Sequence, residues 1–273
     1  MTDILEMVQE LKTAAAALTR ENDAFERQVI AIEQAAEHAD AYRQVVNAQA
    51  SHNWGYYQHL HRDELDRYWA KSVDDIVYAH GREAFFGRES TYQYYIETPK
   101  KMCENGRINA LKNYGIVSEA PDGPGYRVHN VISSPVVEIA GDGQTAQGIW
   151  MAHTFMSQIT ESGAAAPSFG LAKYGDEFYH EDGTWKMWHR RDYVDAMLPC
   201  NLRKEDPLEN HIPLFSDGVK TIAQEGDMIY HPYSCTRREP AIPQPYETWD
   251  PAQSYIQIIR DGYEVSKEVS ADD

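Results

Sequence analysis

The chain has 273 residues with 43 acidic against 25 basic side chains, a formal net charge of -18, and that balance repels phosphate backbones and anionic lipid surfaces. Nucleic acid and membrane are therefore excluded as expected partners; no apolar run approaches the roughly 18 residues of a membrane span. Three cysteines without C-x-x-C spacing signal neither a disulfide framework nor a thiolate metal site, and together with an acidic N-terminus they suggest a cytoplasmic location.

In chain order, residues 1 to about 40 lack proline and glycine and place Ile4, Leu11, Leu18, Phe25 and Ile32 seven apart, with Val8, Ala15, Asn22, Val29 and Ala36 between them. That is a heptad seam, and a polar Asn22 at an a position sets register between paired helices. The expectation is a homo-oligomer, dimer or trimer; the same stripe would also serve a helix folded back on its own domain. Helical text continues to about residue 70, with a break near Gly55 or at His61 to Asp63, where Asp63 can cap a short second helix. The segment "DDIVYAH" reads as a strand, and "GRESTYQYYIETPKKMCEN" as a helix interrupted by Pro99 and stopping at Gly106.

Four strands are predicted at about 126–140, 144–159, 171–181 and 184–195, with turns at "GDG" and "EDG". Helices followed by long antiparallel strands joined by tight turns argue an α+β class. The stretch beyond Leu198 is rich in proline yet keeps Tyr230, Tyr233, Tyr246, Trp249 and Tyr255, which predicts an ordered strap over the domain or a neighbouring subunit rather than a disordered tail. The organisation expected is 1–44 an oligomerisation helix, 45–198 the main domain, and 199–273 the C-terminal extension.

The run "VHNVISSPVVEIAGDGQTAQGIWMAHTFM" followed by "KYGDEFYHEDGTWKMWHRRDYVDAM" resembles the last sheet of SnoaL-like proteins in the NTF2-like superfamily, and "YYQHLHRDELDRYWAKSVDDIVYAHGREAFFGRESTYQYY" is similar to that family's opening helices and first strand. The resemblance covers about residues 45 to 198. It implies an NTF2-like cone, a curved antiparallel sheet with packed helices around a small-molecule cavity. Relatives include polyketide cyclases, dehydratases, steroid isomerases and a diarylpropane lyase; the fold does not choose among them.

The resemblance also implies site residues. His129, before Pro135, matches the family's catalytic histidine, and a one-residue slip would turn Asn130 inward instead. On the final hairpin it turns the face of Trp185, Met187, His189, Arg191 and Tyr193 toward the cavity. Tyr56 or Tyr57 on the opening helix is the expected donor to a substrate oxygen, with His59 one turn on. His153, Lys173 and Tyr174 are further candidates, and Trp150 and Trp188 supply walls for stacking; each also has a plain packing or solvent-facing role. Asp63, Asp66 and Asp176 are available to fix a histidine tautomer. No metal-binding spacing and no phosphate cradle occur in the sequence, so no cofactor and no metal are expected. The function these residues suggest is a cofactor-independent lyase, a dehydratase or carbon–carbon cleaving enzyme acting on a small hydroxylated aromatic or polycyclic compound, with His129 as base and Tyr56, Tyr57 and His189 on substrate oxygens. An isomerase or cyclase, or a non-catalytic binding protein, are the alternatives.

Overall fold

The computed structural model describes residues 2–57, 61–80, 83–118, 125–200 and 238–260, and it divides into two compact units, 1–43 and 44–273. The first unit is helical throughout: it lies within α1 (Thr2–Tyr57), where Ala, Leu, Glu and Gln favour the helix and no proline or glycine interrupts before Gly55. Its heptad residues are exposed, the large apolar ones from Val29 at 37% to Ile32 at 68%.

The second unit is built on one six-stranded sheet in the order β2-β1-β6-β5-β4-β3. Its strands are β1 (Val77–His80), β2 (Glu83–Phe86), β3 (Tyr126–Ile139), β4 (Thr145–Ile159), β5 (Ala165–Glu181) and β6 (Thr184–Pro199). The four long strands form where expected, because β-branched and aromatic residues fill them and glycine turns separate them, but β5 starts at Ala165 rather than near 171 and β6 runs on to Pro199. The last hairpin turns on Asp182 and Gly183, both at positive φ, as a two-residue turn between right-twisted strands requires. The sheet is curved, unclosed and mixed rather than wholly antiparallel, since β1 joins β6 in parallel and the sequence did not reveal β2.

The helical segment between β2 and β3 differs from its expected form. It begins as α3 (Gly87–Tyr92), passes through a π-helical turn at 93–97 and continues as α4 (Thr98–Tyr114). Pro99 stands where the π-helical turn passes into α4, and the helix runs through Gly106 to an αL cap at Gly115. Gly106 is there for approach: a Cβ would stand 2.6 Å from the carbonyl oxygen of Gly125.

The two faces of the sheet are covered differently. On the inner face, α1 from Gln44 onward, α2 (His61–Tyr68) and the π-helical turn meet the sheet through His52, Trp69 and Tyr95, whose rings lie 5.4 to 6.3 Å apart. On the outer face, residues 238–260 run across the strands. Gly141 and Asp142 donate to the carbonyls of Tyr246 and Glu247, and Ile256 and Ile259 join Val77, Ala79 and Ala84 in a small core. No helix among the described residues is long and apolar enough to cross a membrane.

Candidate active site

Pairing across the long strands dictates which side chains share the inner face. Directly opposed residues in an antiparallel ladder point the same way, so Asn130, Thr154 and Gly170 form one row, Ala152, Ala172 and Val194 the next, and Trp150, Tyr174 and Asp192 a third. These rows, with Tyr78 and His80 from β1 and helical residues from His52 to Met102, enclose a cavity of about 150 Å³. Its walls are mostly aromatic and thioether: Tyr78, Tyr94, Tyr95, Tyr126 and Tyr174 with Met102, Met156 and Met197.

Three polar groups interrupt this wall. In the first, Asp192 Oδ2 accepts from the Tyr78 hydroxyl at 2.6 Å and lies 2.9 Å from His80 Nδ1, while Asp192 Oδ1 accepts from Arg190 Nε at 3.0 Å. Burial alone would raise the Asp192 carboxyl; Arg190, His80 and Tyr78 outweigh it and hold the group at about 2. Arg190 stacks over the Tyr174 ring at 3.8 Å and is held charged against its burial by the aromatic hydroxyls and carboxylates around it. Burial pushes the Tyr78 and Tyr174 hydroxyls well up, so both remain protonated donors. In the second group Tyr95 Oη is 3.3 Å from His52 Nε2. The third joins Thr154, whose hydroxyl donates to Asn130 Oδ1 at 2.8 Å, to Asn53, whose amide donates to the Asn130 carbonyl at 3.2 Å.

The histidine at 80 is thus held by a carboxylate at Nδ1 and lines the aromatic chamber. A carboxylate on Nδ1 fixes the tautomer that leaves Nε2 as a base. Nearby tyrosine hydroxyls can donate to a developing oxyanion. Among the described residues no three His, Cys, Asp or Glu side chains come together as a metal site.

The expected residues distribute as follows. Tyr174 lines the cavity, and Trp150 lies on the same face but packs deeper, against Phe178 at 5.8 Å. His129 is exposed on the outer face opposite Phe155, and Asn130 takes the cavity position; the register is the alternative of the two expected from the sequence. His153 also faces outward, stacked on Phe169 at 6.0 Å, and Lys173 pairs there with Asp195 at 3.3 Å. The inward face assigned to the final hairpin is a correction: His189 and Tyr193 lie on the outer face and Arg190 and Asp192 on the inner. The cause is a register shift between Glu177 and Phe178 on β5, opposite Trp188, which adds one residue to β6 and reverses the alternation beyond it. Trp188 and His189 consequently stack at 4.1 Å on one side, with Trp188 Nε1 donating to Asp75 at 2.7 Å. Tyr56 and Tyr57 end α1, but their side chains lie outside the described residues, as does His59 entirely.

Sequence reasoning missed His52, Tyr78, His80, Tyr95, Arg190 and Asp192. A signal was available: "YAH" on β1 and "RRD" on β6 each put two polar or ionisable residues two apart on a strand, which places both on one face.

Residues 37–191, more than half of the chain, match the SnoaL-like domain. Among curated proteins nothing matches this chain. Similar solved structures include LinA, at 12% identity over 64% of this chain and 99% of that one with a TM-score of 0.46. A hexachlorocyclohexane dehydrochlorinase, LinA-type3, of Novosphingobium barchaimii is 13% identical over 63% of this chain and 99% of its own, with a TM-score of 0.42. A protein of Kribbella flavida is 9% identical over 58% and 93%, with a TM-score of 0.44.

Proposed function

The chain belongs to the SnoaL-like family, and from that premise we propose that its cavity is the active site of a cofactor-independent lyase acting on a small, uncharged, hydroxylated aromatic compound. The observation that carries the proposal is the sharing of Asp192 Oδ2 by His80 and Tyr78 at the wall of an aromatic chamber. His80 Nε2 takes a proton from the carbon next to the one bearing the leaving hydroxyl. The C–H electron pair becomes the new double bond, the C–O bond breaks, and the departing oxygen takes a proton from Tyr95, which His52 supports. Uncharged substrate is favoured because Arg190, the cation lining the cavity, is engaged by Asp192 and stacked on Tyr174. The base assigned to His129 in the sequence passes to His80 in this reading, because His129 stands on the opposite face of the sheet. Returning the proton to another carbon would make the same groups an isomerase.

The test is product-resolved turnover of a panel of β-hydroxy aromatic and steroid-like compounds without added cofactor, comparing wild type with His80→Ala. The expected result is loss of about 10²- to 10⁴-fold in the variant with circular dichroism unchanged. Unchanged turnover would remove His80 from the mechanism, and tight binding of the panel without product would turn the reading to a binding protein.

We further propose that the exposed seam of Ile4, Leu11, Leu18, Phe25 and Ile32 pairs with a second copy of itself in a homo-oligomer. Light scattering should return a multiple of the chain mass that falls to the monomer on Leu11→Glu with Leu18→Glu; a monomeric wild type would refute the pairing.

A further inference from the structure

One row below the His80–Asp192 pair, the inner face holds a second carboxylate that the proposed chemistry leaves unused. Asp176 on β5 lies opposite Gly148 on β4 and Arg190 on β6. Its side chain is fully buried, and neither oxygen has a hydrogen-bond partner among the described residues. Arg190 Nη1 is 3.9 Å from Asp176 Oδ2, beyond hydrogen-bond reach, while Arg190 Nε binds Asp192 at 3.0 Å. A single guanidinium thus stands between two carboxylates and bonds one of them.

The groups around this cluster on the inner face are Arg190 and Asp192 from β6, Tyr174 from β5, Tyr95 from the π-helical turn, and Tyr78 and His80 from β1, while Glu177 and Tyr255 act on it from the outer face through the sheet. From α1, Gln49 accepts from Arg190 Nη1 at 3.5 Å, and its own buried Nε2 has no partner. An ionised carboxylate without hydrogen bonds is costly in such a place, and the group escapes the cost by holding its proton. Burial drives Asp176 up to about 7 against the pull of Arg190, and Asp192 and Glu177 add to the rise.

We propose that Asp176 is a positioning residue for the acid–base pair: protonated, it leaves Arg190 to brace Asp192 and His80; ionised, it draws the guanidinium toward itself and loosens that brace. The inference rests on reading the cavity as an acid–base site. Its sign is fixed, because the neutral form is the competent one and function falls as pH rises through the Asp176 titration.

Infrared spectroscopy of the wild type needs no variant to fold. A protonated-carboxyl band present at about pH 5 should disappear with a midpoint near 7 and should be missing from Asp176→Asn, whose amide keeps the shape of the neutral acid. A band that titrates in the ordinary carboxylate range, or that persists in the variant, overturns the buried proton. The ratio of wild-type to Asp176→Asn values, for 2-naphthol affinity and for turnover of any substrate found, should fall about tenfold from pH 6 to pH 8, because any other titration common to the two proteins cancels from it. A ratio that stays level overturns the positioning role. Failure of the lyase reading would show instead as absent turnover across the panel, with the infrared and naphthol measurements still decisive for Asp176.

Discussion

The sheet carries a histidine–carboxylate pair on each face, and the two differ in access rather than in chemistry. On the inner face His80 and Asp192 meet at 2.9 Å at the wall of a cavity, with the His80 side chain 17% exposed. On the outer face His189 and Glu177 meet at 2.5 Å, with side chains 0% and 1% exposed. The outer pair is closed from every side: Glu177 accepts from the Tyr255 amide at 2.8 Å and from the Ser254 hydroxyl at 3.2 Å, His189 Nε2 lies 3.0 Å from the Asp75 carbonyl, and Trp249 covers the ring. A proton taken by His189 has no route to a substrate. The pairing of residue types therefore marks a candidate, and access to the cavity is what separates the two pairs.

That contrast is sharpest where one pair is broken at a time. His80→Ala should abolish turnover and spare the fold. Glu177→Gln should do the reverse, because it replaces one acceptor oxygen of a sealed hydrogen-bond cluster with an amide that cannot serve Ser254, Tyr255 and His189 together. The expected cost is about 2 kcal/mol, read as a lower urea midpoint, with 2-naphthol binding in the cavity unchanged. Weakened cavity binding at full stability would show that the two faces are coupled and would break the distinction.

Much of this fold was legible before the structure, and the limits have physical causes. Strands β3 to β6 were readable because turn chemistry at 141–143 and 181–183 brackets them and because aromatic and β-branched residues fill them. The end of α4 was misplaced because Gly106 reads as a helix stop, whereas the helix tolerates it for the sake of contact with Gly125. The site was harder. Side-chain alternation is a parity rule, and the extra residue at Trp188 reverses it for everything up to the next irregularity, so counting from Trp185 carried His189 inward and left Arg190 and Asp192 outside. His80 was hidden differently: four residues of strand are too short to show alternation, and its partner Asp192 is 112 positions away.

The smallest expected effect comes from the histidine the sequence favoured. His129 lies exposed on β3, across from Phe155, with the strand itself between it and the cavity to which Asn130 points. Replacing an exposed side chain on the far face removes no inner-face contact, so His129→Ala should leave stability within about 0.5 kcal/mol and turnover at the wild-type level. The measurement is worth making beside His80→Ala for that reason. If both substitutions abolish turnover, the outer face takes part in the reaction; if His129→Ala alone does so, the register that turns Asn130 inward is not the one that functions.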